Sequence, residues 1–490
     1  MRSRRGCGLP GSNRARLVGA LAAGGLVLAA CSSAPDPSAG SASGAAVSSS
    51  PVSSPVSSPA LSAALSSAAP TPSSTEPTPS ATAPASPSAP PPEAAAPAPA
   101  VPAGGLVTGA DMTAASAAVA AMSTADRAGL VVMASSADAV DTDLVAQLHL
   151  GGVILMGSQG SIDGTSTGTP EQVAAVTAQL QSQVPAAQAG APLLIATDQE
   201  SGLVTRLVNG FNDFPGNQEL SGIADTAAAA AATEAVTAAS GAEMRAVGIN
   251  VDFAPDADVL PQSGDSGVDG RTFGADPDRS ATLVAAAVRG YQSGGVAATV
   301  KHFPGIGRLA TDTHKALPSL DVDCAEWNAV EAVPMQAGVD AGAALVMTGH
   351  IELPAVGAVG ESSALSSAVV TDLLKGSGAG GCTGLNFAGV AVSDSFEMAP
   401  VVDNFSPSEA AWRGIAAGQD LVLMPVDPTA AVTGIAAAAD SGQLPATRLA
   451  EAATRVYALR LALGRIPAPG LEVVGSAEHE AVAANARAQG

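Results

Sequence analysis

Aromatic residues make up only 2% of this 490-residue chain, with Trp 2, Tyr 2 and Phe 8. That scarcity limits any ligand site built on ring stacking. Positive charge is also scarce. Lys and Arg total 21 against 44 Asp and Glu, for a formal net charge of -23. This balance argues against a nucleic-acid partner and against electrostatic docking on an anionic membrane. There are 5 histidines but no H-E-x-x-H, and 4 cysteines but no C-x-x-C or zinc-finger spacing. No metal and no other cofactor is expected. The apolar stretch Leu17–Ala30 is too short for a comfortable membrane span.

What the N-terminus does have is a basic start, Arg2, Arg4, Arg5, Arg14 and Arg16, ahead of that stretch. Residues 1–30 therefore read as a signal peptide. It ends Leu28-Ala29-Ala30-Cys31, followed by two serines. This ending resembles the lipobox of bacterial lipoproteins. The resemblance implies acylation of Cys31 and a protein lipid-anchored at the extracytoplasmic face of the cell membrane, with no transmembrane helix. Residues 31–108 are almost entirely Ala, Ser, Pro, Thr and Gly. They lack the apolar periodicity needed to offset conformational entropy, so a disordered spacer is expected. Residues 109–467 suffice for one large domain with a full core, and 468–490 form a C-terminal tail. Cys324 and Cys382 are the only cysteines in that domain. In an oxidising compartment they are expected to form a disulfide.

Eight short apolar runs recur through the domain: Leu130–Met133, Val153–Met156, Leu193–Thr197, Ile249–Ala254, Ala297–Val300, Ala344–Thr348, Val390–Ser393 and Leu421–Met424. Ala-rich helical stretches separate them, including Pro170–Val184, Thr226–Ala246 and Arg279–Ser293. Strands alternating with helices imply a parallel sheet. Eight units imply an α/β fold of the closed (β/α)₈ TIM-barrel type, with an open doubly wound sheet as the alternative.

Chemistry in such barrels sits at the carboxyl ends of the strands. Those ends carry Asp198, Gln199 and Glu200; Asp256, Asp258 and then Arg271; Lys301 and His302; His350; and Asp394. No comparable set is expected at the opposite end.

The stretch 297–314, AATVKHFPGIGRLATDTH, is the most informative. A buried strand delivers Lys301 and His302, a Gly/Pro turn follows, and Asp312 and His314 stand two residues apart. A carboxylate beside an imidazole orients the ring and favours its protonated form, as a general acid requires; a surface pair without consequence is the plainer alternative. Asp394 at a strand end can attack an anomeric carbon, or it can simply cap a helix. Lys301 and His302 offer donors to hydroxyl or carbonyl oxygens; Lys301 can equally serve as the structural partner of a barrel carboxylate.

Lys301-His302-Phe303-Pro304-Gly305 with Asp312-Thr313-His314 resembles the K-H-F-P-G-H-G…D-S-H signature of glycoside hydrolase family 3 β-N-acetylglucosaminidases. Asp198-Gln199-Glu200 with Arg206 resembles the family's D-Q-E-G-G-R-V-x-R. Ala254-Pro255 with Asp258 resembles A-P-x-x-D, and Arg271-Thr272-Phe273-Gly274 resembles R-S-F-G. Ser393-Asp394 resembles S-D-D, and Ala417-Gly418-Gln419-Asp420 resembles A-G-x-D. The resemblance runs from about residue 120 to 465. It implies Asp394 as nucleophile and His314 as acid/base with Asp312 as its partner. Asp198, Arg206, Arg271, Lys301 and His302 would bind the sugar.

The implied activity is retaining exo-hydrolysis of terminal β-linked N-acetylglucosamine from cell-wall fragments such as muropeptides, by a monomer. A phosphorylase, another β-glycosidase or a non-catalytic sugar-binding lipoprotein are the alternatives. The sequence departs from the family pattern at Leu203, Ile306 and Ser395, where the motifs carry Arg, His and Asp.

Overall fold

The computed structural model describes residues 105–157, 168–188 and 190–490. The signal peptide, Cys31 and nearly all of the Ala/Ser/Pro-rich segment lie outside the described residues.

Eight strands, every residue of them buried, form one parallel sheet: β1 Val132–Ser135, β2 Gly152–Ile154, β3 Leu194–Thr197, β4 Val251–Asp252, β5 Ala297–Phe303, β6 Leu345–Thr348, β7 Val390–Ser393 and β8 Val422–Leu423. Their order around the sheet is their order in the chain, with β8 paired to β1. The parallel bridge Val392–Leu421 joins β7 to β8, and the Ser393 N–H donates to the Leu421 carbonyl at 3.1 Å. The sheet thus closes on itself as the (β/α)₈ barrel that the eight apolar runs imply. Strands covered by helices outside and side chains inside have no polar face, which is why they read as continuous apolar runs.

The observed strands fall within a few residues of the expected ones. The first is shifted towards the C-terminus because the helix Thr124–Leu130 claims Leu130. That helix has a capping box in which Ser123 and Asp126 satisfy each other's backbone N–H groups. The connecting helices follow equally local rules. Pro170–Ser182 starts behind a Thr169/Gln172 capping box with proline in its first turn. It buries Val173, Thr177 and Leu180, spaced as one helical face. Each such aliphatic side chain contributes about 1.5–3 kcal/mol on burial. Truncating Leu180 to Ala would cost about 2–5 kcal/mol.

A short antiparallel hairpin, Gly378–Ala379 with Cys382–Thr383, precedes β7. Cys382 is joined to Cys324, at the start of the helix Cys324–Ala329, by a disulfide. Beyond the barrel, the helix Ala477–Arg487 buries Ala483 and Ala486 against the core, and His479 reaches Glu243 of the helix Thr226–Ala246 at 2.9 Å. Among the described residues no helix is long and apolar enough to cross a membrane.

The end of the barrel opposite the strand carboxyl termini does hold a polar cluster, contrary to expectation. Asp420, fully buried just before β8, pairs with Lys375 at 2.7 Å, Arg448 at 2.6 Å and Arg455 at 3.3 Å. Its Oδ2 also accepts the Ala391 N–H. Burial opposes its ionisation, but the three cations outweigh that and hold it well below the ordinary carboxylate range. These partners come from two distant segments, Lys375 from the helix Ala368–Lys375 and both arginines from the helix Ala446–Gly464, so nothing near Asp420 in the sequence announces them. Removing one partner from such a buried network costs about 3–5 kcal/mol.

Candidate active site

The ends of β3, β5 and β7, with Arg271 from the segment after β4, deliver polar side chains to a cavity of about 440 Å³ at the carboxyl face of the barrel, while β2, β6 and β8 contribute the apolar Ile154, Met347 and Leu423. Lys301 sits on β5, where the preceding apolar residues lock the strand into the core. Its Nζ bridges Glu200 at 2.6 Å and Asp198 at 3.1 Å, both just beyond β3. Arg271 donates two hydrogen bonds to Glu200, at 3.0 and 2.8 Å, through Nε and Nη2. The Arg271 carbonyl is held in turn by Asn217 at 2.9 Å. Burial would raise the Glu200 carboxyl, but Lys301 and Arg271 outweigh it and hold it at about 2. Lys301 and Arg271 stay charged for the reciprocal reason. Arg206 reaches the Gly157 carbonyl at 3.1 Å and Asp198 at 3.4 Å.

His302 is buried beside Asp258, which accepts from the ring Nδ1 at 2.8 Å and from the Ile306 backbone N–H at 2.6 Å. Burial pushes the ring down to about 4, so it is neutral at physiological pH. Asp256 lies in the same group, its carboxyl pushed up to about 8, first by burial and then by Asp258. Donor atoms of Asp256, Asp258 and His302 lie within 4.8 Å of one another, as three metal ligands would. They fit a cation poorly. Asp258 and His302 already satisfy each other, and Arg271 stands 3.7 Å from Asp256.

Asp394 follows β7. Its backbone N–H donates to Thr348 at 2.8 Å, and its Oδ1 accepts from the Ser395 N–H at 2.7 Å. It caps no helix: the next one, Ala399–Val402, has Met398 at its N-cap. Burial opposes ionisation of Asp394, but His302, His350 and the Ser395 N–H outweigh it and hold the carboxyl below its ordinary range. His350 is fully buried behind it. Its Nε2–H donates to the Ser395 carbonyl at 3.0 Å, and its Nδ1 pairs with the Ser362 hydroxyl at 2.8 Å. The three histidines His302, His314 and His350 thus each have separate partners and form no common metal site.

His314 stands on the loop after β5, with 71% of its side chain exposed. Its Nδ1 bonds Asp312 Oδ1 at 2.8 Å, and Lys315 takes the other Asp312 oxygen at 2.8 Å. Lys315 and then His314 hold the Asp312 carboxyl well below its ordinary range, so it is an anion at neutral pH.

All eight expected site residues, Asp198, Arg206, Arg271, Lys301, His302, Asp312, His314 and Asp394, line this one cavity. An ionised carboxylate, an imidazole with its own carboxylate partner, and a bank of donors and acceptors meet in one space. That is the equipment for nucleophilic attack assisted by proton transfer. Sequence reasoning left Glu200, Asp258, Ser362 and Glu397 out of the site. Glu200 and Asp258 were visible as strand-end acids, whereas Ser362 carries no local signal. No aromatic ring lines the cavity among the described residues; Met156, Met347, Met398 and Met424 take that place.

The model of the Glycosyl hydrolase family 3 N terminal domain matches residues 123–459. The chain belongs to glycosyl hydrolase family 3. A similar protein is Beta-hexosaminidase A of Pseudoalteromonas piscicida, 31% identical over 297 residues, 58% of this chain and 47% of that protein. The chain thus spans about half the length of that relative. Beta-hexosaminidase LpqI of Mycobacterium tuberculosis is 29% identical over 358 residues, 70% of this chain and 84% of that protein. Among solved structures, a glycoside hydrolase family 3 beta-N-acetylglucosaminidase from Paenibacillus sp. str. FPU-7 matches with TM-score 0.66 and 33% identity, over 75% of this chain and 68% of that one.

The departures from the family 3 motifs have visible consequences. Ile306 is buried, and it is its backbone N–H, not its side chain, that meets Asp258. Leu203 is 73% exposed and places no charge at the cavity. Ser395 lends its hydroxyl to the Glu397 N–H at 3.2 Å.

Proposed function

We propose that this protein is a retaining exo-β-N-acetylglucosaminidase that removes terminal β-linked N-acetylglucosamine, with cell-wall fragments as its natural substrates. The observation that carries this reading is the shared cavity. Asp394, held ionised, and the Asp312–His314 pair open onto the same space as Asp198, Arg206, Arg271, Lys301 and His302.

In the first step an Asp394 oxygen bonds to the anomeric carbon. The bond to the leaving oxygen breaks, and His314 supplies that oxygen with a proton. The product is a glycosyl ester on Asp394. In the second step neutral His314 takes a proton from water, the water oxygen bonds to the anomeric carbon, and Asp394 leaves as carboxylate. Asp312 orients the ring in both steps. The similar proteins named above, beta-hexosaminidases and a beta-N-acetylglucosaminidase, support the substrate class.

Attachment through an acylated Cys31 at the extracytoplasmic face completes the reading. The mass of the mature N-terminal peptide tests it, and an unmodified Cys31 in membrane-extracted protein would rule it out. For the reaction, a panel of chromogenic β-glycosides assayed with and without inorganic phosphate is the test. Phosphate-independent release from the N-acetylglucosaminide is expected. Turnover that requires phosphate would make the protein a phosphorylase, and no turnover at all would make it a sugar-binding lipoprotein.

A further inference from the structure

The acid must reach the leaving oxygen, so the leaving group lies against the loop that carries His314. Two backbone contacts show what else faces that space. The Gly267 N–H donates to the Leu309 carbonyl at 2.8 Å, and the Ala399 N–H donates to the His314 carbonyl at 3.1 Å. They bring Val268, Leu309, Met398 and Glu397 to the wall of the same cavity.

Apart from the protonated His314 that serves as the acid, every Lys and Arg at this cavity among the described residues is already paired with a carboxylate. Arg206 and Lys301 are bound to Asp198, and Arg271 and Lys301 to Glu200. On the catalytic loop, Lys315 is bound to Asp312 and Arg308 to Glu331 and Glu326. Glu397, by contrast, is an exposed acid on the cavity wall with no ion-pair partner among the described residues. Partial desolvation against the wall, and then the neighbouring Asp138, raise its carboxyl above the ordinary range though its tip reaches solvent, which marks a second negative group beside it.

We propose that the leaving-group side of this cavity selects a neutral leaving group over one bearing a free carboxylate, and that Glu397 is the discriminating residue. The inference rests on His314 being the acid. It narrows the wall-fragment reading to fragments whose leaving sugar carries no free carboxylate near this wall. Val268, Leu309 and Met398 offer such a sugar an apolar, uncharged surface. A carboxylate brought to the same place meets Glu397 across partly screened solvent with no unpaired Lys or Arg among the described residues to offset the repulsion. The discrimination should be roughly three- to tenfold in kcat/KM.

The test uses the full chain and two forms of one disaccharide, N-acetylglucosamine β-1,4-linked to N-acetylmuramic acid: the free lactyl acid and its primary amide. The two differ in charge and hardly in shape. The amide should be hydrolysed faster at low salt, and the advantage should shrink at high salt. It should fall towards one in Glu397→Gln and reverse in Glu397→Lys. Equal rates for the two forms, faster hydrolysis of the acid, or a ratio unchanged in Glu397→Gln would overturn the inference. Turnover of an aryl N-acetylglucosaminide with neither disaccharide form hydrolysed would overturn it as well, showing that bulk and not charge decides. No turnover of the aryl glycoside would instead sink the hydrolase reading on which the inference stands.

Discussion

The backbone N–H of Ala399 donates to the carbonyl of His314 at 3.1 Å. This bond ties the loop that carries the proposed acid/base to the segment that follows the proposed nucleophile. Ala399 is the first residue of the helix Ala399–Val402, a position whose N–H has no partner inside the helix. Proline is tolerated there, and Met398 already has the extended backbone that proline demands of its predecessor.

Ala399→Pro therefore removes one donor and little else. The variant should keep its melting temperature within a few degrees. Its kcat should fall roughly fivefold, the worth of about 1 kcal/mol of lost positioning. A variant with full kcat on a substrate that needs acid assistance would show that the link does not matter.

His314→Ala should slow both chemical steps, with the first slowed by about 10²–10⁴-fold for poor leaving groups. Substrates with very good leaving groups need little protonation and should be slowed least in that step. Asp312→Asn should be milder and should move the pH profile of kcat/KM, since it removes the anion that orients the ring. Equal losses across a leaving-group series would count against the acid role.

Asp252, on β4, is fully buried, with one oxygen accepting the Gln199 N–H and the other unpartnered. Burial above all pushes its carboxyl up to about 8. The unfolded chain ionises this group near about 3.9, so between that pH and 8 the unfolded state binds fewer protons. Stability contributed by the neutral acid is therefore present below about pH 4 and lost progressively as pH rises towards 8. Asp252→Asn should flatten that loss. Melting curves from about pH 5 to 8 should show the variant gaining on the wild type as pH rises; parallel curves would contradict this.

The disulfide Cys324–Cys382 spans a sequence separation of 58. Replacing both cysteines by Ala should lower unfolding free energy by about 2–4 kcal/mol, read by denaturant titration. A change below about 0.5 kcal/mol would show that the link constrains little.

The barrel was legible because its strands are buried on both faces, and runs such as Ala297–Val300 have no other use. The shared cavity was legible because polar groups cluster at strand ends, and Lys301, His302, Asp312 and His314 crowd one of them. The partnerships were not legible. Glu200 finds Lys301 and Arg271 across about 100 and 70 residues of chain, and His350 finds Ser362 through a loop. Nothing local signals such pairs. Asp420 misled for the same reason: its cations arrive from Lys375, Arg448 and Arg455, so an apparently empty end of the barrel holds a buried ionic cluster.

The central claim is that Asp394 forms the covalent intermediate, and covalent labelling tests it most directly. A fluorinated N-acetylglucosamine-type or glucose-type inactivator should trap the glycosyl ester, and peptide mass mapping should find the label on the peptide containing Asp394. Asp394→Asn should stay folded, lose kcat by several orders of magnitude and take no label. A label on Asp198 or Asp258, or near-normal turnover by Asp394→Asn, would contradict the account.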